Sequence, residues 1–298
     1  MSVSDARPVT RSASEASAGT GDPRLELVLA LADDELVMGH QHGHWTGVAP
    51  HIEEDLAFSS ISQDEIGHSV VWYSLAAELS GKDSDALALG REPDGYRNAV
   101  LVERPPRDWG YTIARHYLYD TAEDVRLTTL AESSWKAVAS ATGAIRREER
   151  YHLIHARLWL DRLAKGPLEA RSRLVDGLLA ALAEAPGLFE ALPGEDELIA
   201  DGILAVSHEE QRRRWLDVVL ADLTPLGLEH VIDGESHHTG GEFVPTSSGE
   251  LLTDEGADNG AATPAGGFGG RQGRHSEDFT AVWEELTGTY RAYPGASW

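Results

Sequence analysis

Two Glu-x-x-His motifs lie on apolar helical stripes, Glu65-Ile66-Gly67-His68 and Glu149-Arg150-Tyr151-His152. They constrain the fold more than any other feature of this chain. Three residues is close to one helical turn, so the carboxylate and imidazole of each motif project to the same side. Charged residues are rarely buried without partners, yet these sit in register with Phe58, Ile61, Trp72 and Leu75 in one segment and Ile145, Ala156 and Trp159 in the other. Two further helical stripes carry acids without a paired histidine: Glu35 with Leu25, Val28, Leu29, Ala32, Leu36 and Gly39, and Asp120 with Ile113, Tyr117, Asp124 and Leu127, Asp120 being the candidate at the matching spacing. Glu35 precedes Glu65 by 30 residues and Asp120 precedes Glu149 by 29. The chain thus repeats one unit, a lone carboxylate helix followed by a Glu-x-x-His helix.

The helix pattern begins at Pro23, breaks at Pro50 and His51, and resumes until Gly81, placed to end the second helix. Residues 81–108 read as a long connection. Asp108 is a candidate N-cap for the third helix, and the fourth runs from about Ser134 to Lys165. Further helices are expected near 168–184, 196–204, 207–223 and 275–290, with 234–274 as loop. No stretch shows strand alternation. Two helix pairs joined by a long crossover predict an all-α, ferritin-like four-helix bundle with extra carboxyl-terminal helices. Residues 1–22, rich in Ser, Ala, Thr and Gly, are expected to be a flexible tail, and 23–298 one domain.

Four carboxylates and two imidazoles facing one cavity match two first-row ions. Oxygen donors with one nitrogen per metal suit iron or manganese better than structural zinc. Glu35, Glu65, His68, Asp120, Glu149 and His152 are therefore the candidate metal ligands, for a di-iron centre. The opposing reading is a metal-free remnant held by ion pairs. The chain has no cysteine, which excludes disulfides, thiolate metal sites and a cysteine nucleophile.

Other features read as structural. His40, His42 and His44 form HQHGH at the end of the first helix. Residues two apart diverge by about 200°, so the three cannot converge, and an exposed helix end is expected. His237 and His238 fall in an acidic loop. His155 fits either a hydrogen bond behind the site or the surface. Trp45, Trp72, Trp109, Trp135 and Trp159 are expected in core or interface packing. GGFGG (266–270) follows no strand and reads as a mobile loop, not a dinucleotide fingerprint. Arg146, Arg147 and Arg150 are expected to pair with carboxylates on their own helix.

At these residues the chain resembles a known family, the ferritin-like subunits of phenylacetyl-CoA 1,2-epoxidase. The resemblance lies in LADDELVMGHQHGHWTGVAPHIEEDLAFSSISQDEIGH (31–68), YTIARHYLYD (111–120), REERYHLIHARLWLDRLA (147–164) and the closing segment from GRQGRHSEDF (270–279) to YPGASW (293–298). It covers roughly 25–298 and is closest to the structural (PaaC-type) subunit, especially in the carboxyl-terminal third. It implies pairing with a homologous catalytic di-iron subunit. It also implies a partner reductase supplying electrons from NADPH through FAD and an iron–sulfur cluster, and phenylacetyl-CoA as substrate of the complex. Structural subunits of this family usually have an incomplete ligand set, whereas all six positions are filled here, and QDEIGH (63–68) is nearer the catalytic type. Two alternatives therefore stand beside the structural subunit: a di-iron oxygenase in its own right, and a ferritin-like iron-handling bundle.

Fifty Asp and Glu against twenty-five Lys and Arg leave a net charge of −25. That argues against nucleic acid and anionic membranes as partners. No apolar run approaches a membrane span, and the first residues lack a secretory core, so a cytoplasmic location is expected. Acidic self-repulsion is screened within roughly 3 Å at 1 M salt, the pattern of a halophilic-type protein. The urea midpoint is expected to climb steadily as KCl rises to molar concentrations, and assembly with a second acidic subunit should be salt-dependent too. Full stability in dilute buffer would contradict this.

Overall fold

The computed structural model describes residues 21–234 and 266–296, and every regular element among them is helical. Helix α1 (Pro23–Gly43) pairs with α2 (Ile52–Ser80), and α5 (Trp109–Leu130) pairs with α6 (Lys136–Ala164). This is the expected ferritin-like bundle with its long crossover. The crossover holds two short helices, α3 (Ser84–Leu89) and α4 (Val100–Glu103). Helices α7 (Leu168–Leu182), α8 (Glu195–Ala200), α9 (His208–Leu223) and α10 (Asp278–Ala292) are added outside, with α7 and α9 against α5. No helix of the described residues is long and apolar enough to cross a membrane.

Local chemistry sets the ends. Pro23 opens α1 under the Asp22 side chain, which accepts from the Arg24 backbone N–H. Asp22, assigned to the tail by sequence, is therefore a cap; residues 1–20 lie outside the described residues. Asp108 caps α5 by accepting from Tyr111 N–H at 2.9 Å, and Gly81 closes α2 at φ 68°. Close approach needs glycine where α5 crosses α7. A Cβ on Gly177 would lie 2.7 Å from Tyr111 Cα, and one on Gly110 2.7 Å from the Arg173 carbonyl carbon.

The apolar core surrounds a polar stratum. One cluster joins the first half of α1 to Trp72, Leu75, Leu130 and Ile145. A second joins α5, α7 and α9 with Phe279 and Val282 of α10. A third, small cluster is Phe58, Ile113 and Trp159, with Trp45 and Trp109 packed on it. The expected packing holds for Trp72 and Trp159 in the core and for Trp45, Trp109 and Trp135, half-buried against its clusters. Asp124, placed on the inner stripe by sequence, faces out; its neighbour Glu123 is buried instead.

Buried ion pairs pin the crossover and the carboxyl-terminal segment onto α1. Asp33 accepts from Arg91 and from the Arg97 backbone N–H at 2.7 Å. Asp34 accepts from Arg126 at 2.6 Å, from Arg271 at 2.7 Å and from the Ala99 backbone N–H at 2.7 Å. Residues 266–274 are thus not the mobile loop that glycine content suggests. Glu190 accepts from Gly269 N–H at 2.8 Å, and the Arg271 side chain is buried between α1 and the crossover, donating to the Arg97 and Leu188 carbonyls. The intervening stretch 235–265, with His237 and His238, lies outside the described residues.

Burial works to raise the Asp34 carboxyl, but the Arg271 and Arg126 guanidiniums outweigh it and hold it below its ordinary value. A depressed carboxylate contributes stability above its unfolded pKa, and that contribution is lost as pH falls through the folded one. Replacing Arg271 with Ala leaves a buried charge partly uncompensated, at a cost of about 3–5 kcal/mol. The expected outcome is a lower urea midpoint at neutral pH and an acid-unfolding limb moved to higher pH. An unchanged acid limb would show that Arg271 does not hold Asp34.

Candidate metal centre

Each of the four long helices presents its acid inward. Glu35 comes from α1, Glu65 and His68 from α2, Asp120 from α5, and Glu149 and His152 from α6; all six are buried, none more than 5% exposed. Glu149 is the hub. Its Oε1 lies 3.0 Å from His68 Nδ1 and 3.2 Å from His152 Nδ1. Glu35 Oε2 is 3.5 Å from the same His68 nitrogen. One ligand atom each from Glu35, His68 and Glu149 falls within 4.8 Å of the other two.

These approaches lack hydrogen-bond alignment. Both oxygens of Glu35, both of Asp120, Oε1 of Glu65 and of Glu149, and Nδ1 of His68 and His152 are buried with no hydrogen-bond partner. Buried polar atoms are normally paired, so a group of unpaired donor atoms facing one another is what ligands offer to a metal. Glu35, His68 and Glu149 are the three that converge closely enough to hold one ion, and carboxylate oxygens with an imidazole nitrogen are a donor set suited to iron or manganese.

The outer ring nitrogens are tied down in a reciprocal exchange. His68 Nε2 of α2 sits 2.8 Å from Glu148 Oε2 of α6, and His152 Nε2 of α6 sits 3.3 Å from Asp64 Oδ2 of α2. A proton on each Nε2 leaves Nδ1 free to ligate, the carboxylate–histidine–metal arrangement. The signal is in the sequence: each motif is in fact acid-Glu-x-x-His, Asp64 before Glu65 and Glu148 before Glu149.

Burial pushes the Glu35, Glu65 and Asp120 carboxyls up, and carboxylates of the same cluster push them further. Burial alone would lower His68 and His152, but Glu149 and its neighbours outweigh it and raise both. Burial also works to raise Glu149, but the two imidazoles hold it below its ordinary value. The cluster thus holds more acid than its own imidazoles compensate, and dications would neutralise the excess.

Three residues beside the cluster are not marked by the sequence stripes. His42, expected at an exposed helix end, points inward and its Nδ1 lies 2.8 Å from Glu65 Oε2. The HQHGH pattern alternates faces on the helix, and the middle histidine takes the core side. His116 Nδ1 lies 3.3 Å from Asp120, and its Nε2 is 3.2 Å from His155 Nδ1. Glu123, one turn after Asp120, pairs with Arg126. His155 also meets Glu54 at 2.8 Å, which places it behind the site. Arg146 and Arg147 do not make their expected carboxylate pairs; they donate to Thr128 Oγ1 and to the Gly143 carbonyl.

Comparison with known proteins identifies the family. Residues 9–243 match the family model described as phenylacetic acid catabolic protein. The chain is also similar to the C subunit of the 1,2-phenylacetyl-CoA epoxidase of Escherichia coli (strain K12), with 30% identity over 271 residues that span 91% of this chain and 97% of that one.

Mutual repulsion among Glu35, Glu65 and Asp120 has a measurable consequence. In metal-free protein Asp120→Asn is expected to be stabilising by about 0.5–2 kcal/mol, as relief of functional-site strain usually is. The same variant should lose most of the rise in melting temperature that anaerobic ferrous loading gives the wild type. Destabilisation of the metal-free variant would mean that the Asp120 charge is satisfied by the protein alone.

Proposed function

The chain belongs to the phenylacetic acid catabolic protein family, and on that premise we propose that it is the structural subunit of a multicomponent 1,2-phenylacetyl-CoA epoxidase. In this reading it pairs with a homologous catalytic di-iron subunit, in aerobic phenylacetate degradation. The observation that carries it is the end-to-end match with the Escherichia coli epoxidase subunit, 97% of whose length is covered. A reductase would feed the complex from NADPH through FAD and an iron–sulfur cluster, and phenylacetyl-CoA would be the substrate.

The surface supports a partner. Ile52, Leu56 and Val70 of α2 and Tyr151, Ile154 and Leu158 of α6 are 44–71% exposed. The cross-helix contacts His68–Glu148, His152–Asp64 and His155–Glu54 hold these two helices side by side. Large apolar side chains exposed on the outer faces of two adjoining helices are the kind of surface that marks a protein interface.

A second reading is favoured by one observation, the complete set of unpaired buried donors: the chain is itself a di-iron oxygenase subunit. Glu35, Glu65, His68, Asp120, Glu149 and His152 would hold two irons, which when bound would supply dioxygen activation. The protein's own part is to fix both imidazoles through Asp64 and Glu148, to set Glu65 against His42, and to keep water out with Phe58, Ile113 and Trp159. The iron-handling alternative has only the ligand set in its favour.

Three measurements separate these readings: iron content, co-purification with a catalytic subunit, and NADPH-dependent epoxidation of phenylacetyl-CoA by the chain with reductase, with and without that subunit. The structural reading expects turnover only with the partner, and turnover by the lone chain plus reductase would defeat it. The paired substitution Val70→Glu and Leu158→Glu is expected to abolish co-purification while leaving the helical circular dichroism unchanged. Retained assembly would place the interface elsewhere.

A further inference from the structure

The outward histidines of α1 converge on a residue from the far end of the chain. His40 and His44 are four apart, so their rings share one side of the helix; the ring centroids are 4.8 Å apart. Both Nε2 atoms approach the same oxygen, Glu285 Oε2 of α10, at 3.1 Å from His40 and 3.3 Å from His44. One ligand atom from each of the three falls within 4.8 Å of the other two.

We propose that His40, His44 and Glu285 form a surface site for a divalent transition ion of the zinc class, with a fourth coordination position open to solvent or to a partner's side chain. Two imidazole nitrogens and one carboxylate oxygen are the three-ligand set of open zinc sites. Tetrahedral bonds of about 2.0–2.1 Å put neighbouring ligand atoms about 3.3 Å apart, close to the 3.1 and 3.3 Å of the two nitrogen–oxygen pairs. The tautomer is supported from behind: His44 Nδ1 lies 3.3 Å from Gln41 Oε1, which accepts the ring proton there and leaves Nε2 free for metal. Burial lowers His40, which favours the neutral ring that ligates, and the His40 and His44 contacts hold Glu285 below its ordinary value.

The site would staple α10 to the last turn of α1. The same turn carries Gln41, which donates to the Glu103 carbonyl at 3.0 Å, and the Glu103 carboxylate takes the Ser276 backbone N–H at 2.8 Å just before α10. It also carries His42, whose ring reaches inward to Glu65. A surface ion would thus stiffen the turn that presents His42 to the buried cluster. Its donor set is nitrogen-rich and exposed where the interior one is carboxylate-rich and closed, so the two would select different metals.

The test is calorimetric titration of the chelator-stripped full-length chain with Zn2+ at neutral pH, beside His44→Gln and Glu285→Gln. Both positions are exposed, and circular dichroism checks their folding. Wild type is expected to bind one equivalent more than His44→Gln, and Glu285→Gln to weaken that equivalent at least tenfold. Co2+ in its place should give the intense visible bands of a tetrahedral ion, lost in His44→Gln. Glu149→Ala, which removes only an interior ligand, should keep this equivalent and its bands. Equal zinc stoichiometry and affinity in wild type and both surface variants would overturn the proposal and leave the trio as a hydrogen-bonded joint.

Discussion

Placing six ionisable groups inside an apolar bundle sets the terms for everything around them. Desolvation disfavours each charged form, and like charges a few ångström apart disfavour one another. Glu149 resolves part of this by lying between two imidazoles. Glu35 has only the distant edge of His68, and Glu65 and Asp120 meet His42 and His116, rings whose charged form burial disfavours. The bundle therefore needs rigid helices that hold the groups in place against their repulsion, and it gets them from packing outside the cluster: α7 and α9 clamp α5, and the crossover and the Arg271 segment clamp α1.

The first clamp is apolar, and the second is ionic. Asp33, Asp34, Glu103 and Glu190 draw the crossover and residues 269–276 onto the bundle through Arg91, Arg271, His275 and backbone N–H groups. Each carboxylate there has an assigned donor, so burial leaves few orphaned atoms. The cluster and its frame are built from the same residue types with opposite bookkeeping: charges are compensated in the frame and left open at the centre.

How much of this is legible in the sequence depends on periodicity. The four long helices, their order, the Asp108 cap and the Gly81 stop follow from local spacing and turn chemistry, and the six inward residues follow from the same stripes. What periodicity cannot show is pairing between segments far apart in sequence. Arg271 lies in a glycine-rich stretch that has no period, and its partner Asp34 is over two hundred residues away. His42 escapes any reading that takes the HQHGH motif as one unit, because its alternate members face opposite ways. The acid-Glu-x-x-His pattern marks Asp64 and Glu148 in the sequence, but only the fold shows that each serves the histidine of the other helix.

The contrast between Asp34 and Glu35 bears on whether the centre is a remnant. They are neighbours on α1 and both are buried. Asp34 is met by two guanidiniums and a backbone N–H. Glu35 has the His68 ring at 3.5 Å and Arg126 as a more distant field, but no well-aligned hydrogen bond to either oxygen. A bundle able to compensate one carboxylate so fully meets no steric bar to compensating the next, and an amide in place of Glu35 or Asp120 would relieve the repulsion. A site held only by its own ion pairs would be expected to close its open valences with donors of that kind. Instead the unpaired atoms come from all four helices, and the two histidines are anchored from behind with their inner nitrogens unpartnered. That distribution of satisfied and unsatisfied atoms supports an interior organised for cations, and it holds whether the chain turns substrate over or shapes a partner that does.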